Sequence, residues 1–320
     1  MERSALVTGG SGFLGGHLTE LLVQRGWRVR VLDLHEPAVD RLEDWIEADV
    51  RNGAAVRQAA RKVDVVFHLA AIVGVDRLLA DPVECIDVTV NGTRNALEAA
   101  AAAGAGVVHL STSEVLGRNP QLPWAEDAER MVGSALVDRW SYGSAKATAE
   151  HVVLAGGARL GVPVTVIRPF NVYGPGQQPL FVVARMVEAA LDRRPITIHG
   201  SGRQTRCFTY VDDVVRGVML AGEQVGAARV LHLGRNDETS MLGLAGAVAA
   251  AVGWELDVVH VDPQARWGEA FEDIDRRVPD ASLARRTLGW EPTVDLPSGL
   301  ERTVAWSRQV RSRLDGQPSA

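Results

Sequence analysis

Cysteine is nearly absent. Cys85 and Cys207 stand far apart, with no CxxC and no Cys/His spacing. This excludes a disulfide framework and a zinc site and fits a reducing compartment, so a cytoplasmic location without a bound metal is expected. Basic charge is not in excess either: 34 Lys and Arg stand against 40 Asp and Glu, a net charge of −6, with no electrostatic footprint for nucleic acid. No apolar run approaches the ~20 residues of a membrane span. Met1-Glu2-Arg3-Ser4 runs straight into a strand pattern, so neither a membrane partner nor a signal peptide is expected. Aromatic residues make up only 5%, although eight are tryptophan. Trp140 is expected to pack beside a helix, and Trp290 and Trp306 to be core residues. With 46% hydrophobic and 23% charged residues, the balance is that of an ordinary globular chain.

What is present is an alternation. Ala5-Leu6-Val7-Thr8 reads as a strand, and Gly9-Gly10-Ser11-Gly12-Phe13-Leu14-Gly15 as a loop opening a helix through Leu18, Leu21 and Leu22. Val29 to Asp33 is the next strand. Gly9, Gly12 and Gly15 let the backbone turn tightly and approach a pyrophosphate at the helix N-terminus, with Phe13 and Leu14 alongside. Asp33, 18 residues after Gly15, is placed to accept bonds from a ribose 2′-hydroxyl and to repel a 2′-phosphate, which favours NAD over NADP. The alternative for the glycines is a plain tight turn. Ala48-Asp49-Val50 ends a third strand. Asp49 there is either near an adenine or a strand-end turn acid. A fourth strand, Val63 to Leu69, ends in Ala70-Ala71, small enough for close cofactor approach. His68 reads as a packed strand residue. A long helix is expected over 86–103, closed by Gly104, then a strand over 107–110.

That strand delivers Ser111-Thr112-Ser113-Glu114-Val115-Leu116-Gly117 to a carboxyl edge, where open parallel sheets bind ligands. Residues 118–141 read as a loop with a short helix. Tyr142 and Lys146 then fall four apart on a helix over 139–151, sharing one face. A strand at 162–168, a helix at 180–192, helix 213–222 capped by Asp212-Asp213, and strand 229–234 returning to the main sheet follow. Helix 240–252, strand 256–261, and helices near 280–288 and 298–312 complete the chain. The expected fold is α/β: a Rossmann-type doubly wound parallel sheet over 1–173, rejoined by 205–235. A smaller interleaved substrate lobe spans 174–204 and 236–312, with a frayed tail at 313–320.

A phenol at its usual pKa of about 10 is a poor base. A lysine one turn away favours the phenolate, and Thr112 can bridge phenolate and substrate alcohol as hydride leaves for nicotinamide. The alternative is a surface Tyr/Lys pair. The glycine loop, the Thr112/Tyr142/Lys146 set, Arg168 to Pro175, Gln204 to Asp213 and Leu288-Gly289-Trp290-Glu291-Pro292 resemble the extended short-chain dehydrogenase/reductases that act on nucleotide sugars. The resemblance covers nearly the whole chain. It implies NAD, a UDP-sugar type of substrate oxidised at C4, and a homodimer built on the Tyr/Lys helix.

Within that family, Thr112-Ser113-Glu114-Val115 and Arg139-Trp140-x-Tyr142 resemble the UDP-glucuronate decarboxylases. Ser113 stands where many 4,6-dehydratases carry an acid, and loss of CO₂ requires no proton on the leaving group. The resemblance assigns Glu114 and Arg206 to the C5 proton and the substrate carboxylate. Glu114 as a helix-terminal acid and Arg206 as a diphosphate ligand are the alternatives. Asn171, Arg203, Arg206 and Arg277 are candidates for the diphosphate, with Arg277 otherwise a surface charge. Leu116, where the family has Tyr, is read as a lost wall residue near the sugar. Thr89 stands where relatives often have Asn. Both suggest partial release of a 4-keto pentose alongside UDP-xylose. A 4-epimerase, a 4,6-dehydratase and a non-catalytic NAD sensor are the competing functions.

Overall fold

The computed structural model describes residues 3–39, 42–262 and 274–315. β1 (Ser4–Thr8) is buried along its whole length, as a strand covered on both faces must be. The series continues with α1 (Phe13–Gln24), β2 (Arg28–Asp33), β3 (Asp44–Glu47), α2 (Gly53–Ala59), β4 (Val65–His68) and α3 (Val75–Ala80). After it come α4 (Pro82–Ala103), β5 (Gly106–Leu110), α5 (Ser141–Leu160), β6 (Val164–Pro169), β7 (Val172–Tyr173) and α6 (Val182–Leu191). β8 (Ile196–His199), β9 (Thr205–Cys207), β10 (Thr209–Tyr210), α7 (Val211–Glu223), β11 (Val230–Leu233) and β12 (Glu238–Ser240) follow. The described chain ends with α8 (Met241–Val252), β13 (Val258–Val261), α9 (Ser282–Leu288) and α10 (Leu296–Asp315).

Seven parallel strands form the main sheet in the order β11-β6-β5-β4-β1-β2-β3. The chain winds outward from β1 to β3, then returns to β4 on the other side of β1. The crevice at that reversal is where an open sheet of this kind takes its ligand. Thr8 and His68 clamp it, with Thr8 Oγ1 and His68 Nδ1 2.8 Å apart, so His68 is a packed strand residue. Two apolar layers cover the sheet. One joins Leu18, Leu22, Val214 and Leu244; the other joins Val56, Leu97, Ala100 and Val153. Short pairs β7–β10, β9–β12 and β8–β13 build the region beyond the sheet edge.

Several elements differ from expectation for local reasons. α4 begins at Pro82 rather than 86, because Asp81 caps it by accepting the Glu84 N–H (2.8 Å) and Pro82 needs no donor. No α-helix forms over 118–137; a 3₁₀ turn, Asp138–Trp140, precedes α5. Asp212 and Asp213 do not cap α7, which opens after Tyr210 without a side-chain cap. Asp213 instead accepts the N–H groups of Thr293 (2.8 Å) and Val294 (2.9 Å), tying the C-terminal segment to α7. Arg313 does not begin a frayed tail, since α10 runs to Asp315; 316–320 lie outside the described residues. Trp290 is buried, but Trp306 is 38% exposed on α10 and is no core residue. Leu116 is fully buried among Val115, Trp124, Trp140 and Phe170, so it fills a satellite core rather than a sugar wall.

Asp213→Ala strips the buried Val294 N–H, the part-buried Thr293 N–H and Arg216 of their acceptor. The expected cost is about 3 kcal/mol in urea unfolding, with earlier proteolysis near residue 293. A loss below about 1 kcal/mol contradicts this role.

Candidate active site

The glycine loop comes first. Gly9 takes a positive φ of +73°, and a Cβ on Gly15 would lie 1.9 Å from Gly9 O. No other residue fits at Gly15, so the loop closes directly against α1. α1 has Gly12 at its N-cap, no side-chain capping bond and no acid in its first turn. Phe13 and Leu14 begin the helix. Its free N–H groups and positive end are left for an anion. A Cβ on Gly9 would meet Ala70 N at 2.7 Å, so Leu69 and Ala70 line the opposite bank, with Ala71 next in the chain. Asp33 sits at the end of β2, fixed by the N–H groups of Ser11 (3.0 Å) and His35 (3.1 Å). These features fit a dinucleotide: a phosphate cradle, then a carboxylate one strand away. Asp49 accepts from Arg51 Nη2 at 2.6 Å, and this pairing holds its carboxyl below the usual range. Val50 is buried beside it, against Gly92.

The second cluster lies at the end of β5. Thr112 caps the 3₁₀ turn Ser113–Leu116 by accepting the Glu114 N–H (3.2 Å), and Ser113 is buried beneath. α5 presses against this turn, because Gly143 leaves only 3.0 Å between a would-be Cβ and Glu114 O. That approach brings the Tyr142 phenol beside the Thr112 side chain. Lys146, buried, donates from Nζ to Leu110 O (2.8 Å). Burial and the Glu114 charge push the Tyr142 phenol above its ordinary value. Burial pushes the Lys146 ammonium down to about 8.

Glu114 meets two guanidinia. Arg139 Nη1 donates to Oε2 (2.7 Å) and Arg277 Nη1 to Oε1 (3.3 Å). Burial alone would raise this carboxyl; the two arginines outweigh it and hold it at about 2. Arg277 is buried, and its Nε has no hydrogen-bond partner among the described residues. The motif reading places Arg206 beside Glu114 and Arg277 on the diphosphate. The structure places Arg277 beside Glu114, while Arg206 Nη1 donates to the carbonyls of Thr205 (2.7 Å) and Asp275 (3.4 Å). Asn171 Nδ2 donates to Cys207 O (3.1 Å), and Arg203 is exposed on the loop after β8. Arg139 went unassigned in the sequence. Its signal was the Arg-Trp-x-Tyr spacing, which sets it one turn before Tyr142.

Comparison with known proteins follows this geometry. A UDP-N-acetyl-alpha-D-glucosaminuronate decarboxylase of Bacillus cytotoxicus is 34% identical over 98% of this chain and 100% of its own length. UDP-glucuronic acid decarboxylase 1 of Xenopus tropicalis is 33% identical over 96% of this chain and 73% of its own. Among solved structures, MoeE5 in complex with UDP-glucuronic acid and NAD superposes with a TM-score of 0.84 at 30% identity, covering 96% of this chain and 99% of that one. Residues 5–234 match the model of the NAD dependent epimerase/dehydratase family. The chain belongs to the NAD dependent epimerase/dehydratase family.

Proposed function

We propose that this protein uses NAD to oxidise UDP-glucuronate at C4 and then decarboxylates it, giving a UDP-4-keto-pentose and, after reduction, UDP-xylose. The observation that carries this reading is the charge cluster at Glu114. Two guanidinia share one carboxylate there, beside Tyr142. Among the described residues both guanidinia converge on Glu114, and a sugar carboxylate would join them there with bidentate geometry. A neutral hexose offers nothing to them.

The residues act in sequence. Tyr142, once its own phenolic proton has been released to solvent, takes the proton of the C4 hydroxyl, with Thr112 beside it and cationic Lys146 one turn away. The glycine cradle would hold NAD, which would supply a reversible hydride acceptor for C4. The C4 ketone makes the C5 carboxylate a β-keto acid, so the C5–carboxyl bond breaks. CO₂ leaves, the electron pair becomes an enolate, and C5 then takes a proton from solvent. Arg139 and Arg277 orient the carboxylate. Glu114, ionised at neutral pH, keeps those guanidinia in place rather than acting as an acid. Asn171, Arg203 and Arg206 take the diphosphate, and Asp33 with Asp49 the adenosine half of the cofactor.

The same clamp fits UDP-N-acetylglucosaminuronate, and the similarity to the Bacillus cytotoxicus decarboxylase favours testing it. The reading also includes a homodimer through the outer faces of α4 and α5, where Val83, Ile86 and Leu160 are exposed. A cytoplasmic site of action accords with two free, buried cysteines. No helix among the described residues is long and apolar enough to cross a membrane.

Incubation of the NAD-loaded protein with each uronate, followed by mass spectrometry, is expected to show CO₂ and a UDP-pentose or its 4-keto form. Epimerised or dehydrated product from a neutral UDP-hexose, without CO₂ from either uronate, overturns the reading. Tyr142→Phe is expected to lower kcat by about 100- to 10,000-fold with substrate binding retained. Arg277→Met is expected instead to weaken UDP-glucuronate binding by about tenfold or more, and an unchanged KM contradicts its place on the carboxylate.

A further inference from the structure

One buried acid has no place in the steps above. Glu150 has 0% exposure and lies on α5, four residues after Lys146 and eight after Tyr142. That spacing puts all three on one helix face. Its carboxylate accepts from Ser111 Oγ (2.5 Å), from Arg168 Nε (2.8 Å) and Nη2 (2.7 Å), and from Arg130. Ser111 is the residue before Thr112.

Arg168 extends the connection. Its Nη1 donates to Glu126 O (2.9 Å) and lies 3.3 Å from His232 Nε2. The His232 N–H donates to Glu126 Oε1 (3.0 Å), and His232 Nδ1 lies 3.1 Å from Trp124 O. Trp124 in turn donates its N–H to Val278 O (2.8 Å), the residue after Arg277. One buried ion pair is thus bonded directly to the segment of Thr112 and, through His232 and then Trp124, to the segment of Arg277.

Such a pair is poor evidence for stability, since desolvating both charges offsets most of their attraction. Its worth lies in geometry. We propose that Glu150, paired with Arg168, is the positioning residue of this active site, holding Thr112, the Tyr142–Lys146 face and Arg277 in mutual register. This rests on the roles given above to Tyr142 and Lys146.

A second consequence is electrostatic. Burial would raise the Glu150 carboxyl, but hydrogen bonds from Arg168 and Ser111 and the charges of Arg168 and Arg130 hold it below the usual range, so it is ionised. The titratable groups that act on Lys146 are Cys85 from α4, Glu150 from α5, His68 from β4 and His109 from β5, with Tyr142 one turn before it on α5. Burial pushes His68 to about 3 and His109 well down, and it raises the Cys85 thiol. Across neutral pH Glu150 is therefore the ionised acid that favours the ammonium form of Lys146.

The sequence makes this measurable. Of 34 basic residues only Lys62 and Lys146 are lysines, and Lys62 is exposed. Lysine labelled with ¹³C at Cε gives two signals, with Lys62 as internal reference. In Glu150→Gln the Lys146 titration is expected to move down by about one pH unit. In the same variant kcat is expected to fall by about 10- to 100-fold, with KM within about threefold. Because Glu150→Gln leaves Arg168 without its counter-charge, the double variant Glu150→Gln/Arg168→Met is measured beside it. The double variant is expected to regain the melting temperature while the Lys146 titration and kcat stay displaced. An unmoved Lys146 titration in both variants, or kcat that recovers together with the melting temperature, overturns the proposal. The titration requires no substrate, so wild-type protein that fails to decarboxylate UDP-glucuronate counts against the function alone.

Discussion

Glu114 and its two arginines join three parts of the chain that are remote in sequence. Arg139 stands 25 residues from Glu114, and Arg277 stands 163 away. The 3₁₀ turn after β5, the approach to α5 and the segment before α9 come together there. The contact is costly unless the charges satisfy each other, because all three groups are largely withdrawn from water. Among the described residues both guanidinia meet Glu114 beside a tyrosine whose own pKa is pushed up, and on the proposed reading a substrate carboxylate joins them.

This constraint explains why the site is assembled at the carboxyl edge of the sheet. β1 and β4 deliver the glycine loop and Ala70 to one side of the reversal point, and β5 delivers Thr112 next to them. Gly143 lets α5 close on the turn that carries Glu114. Glu150 and Arg168 then fix α5 against β5 and β6 from beneath. On the proposed mechanism, the groups that oxidise C4 and those that bind the carboxylate are held by separate local devices, which the buried ion pair connects.

The sheet and the cofactor loop were legible because their signals are local. Gly9, Gly12, Gly15 and Asp33 lie in one strand–loop–helix–strand unit, and each has a geometric reason to be what it is. Tyr142 and Lys146 were legible because helical spacing alone puts them on one face. The partner of Glu114 was not. A motif supplies residue types, but an ion pair across 163 positions depends on how the last third of the chain folds back. Arg206 and Arg277 are equally plausible by type, and only packing separates them. Leu116 illustrates the same limit: its position in a motif suggests the sugar wall, whereas its neighbours Trp124 and Trp140 draw it into a core. Trp306 fails in the other direction, since a large aromatic on an amphipathic helix reads as core until its outward face is seen. Asp213 looked like a helix cap because it opens α7, yet its carboxylate serves the chain 80 residues later.

The central claim is that the two guanidinia beside Tyr142 select a sugar carboxylate. Isothermal titration of the NAD-loaded Tyr142→Phe protein with UDP-glucuronate and UDP-glucose tests it without turnover. UDP-glucuronate is predicted to bind about tenfold or more tightly, a difference of about 1.4 kcal/mol, with the gap narrowing as salt rises. Equal affinity for the two sugars would contradict the account.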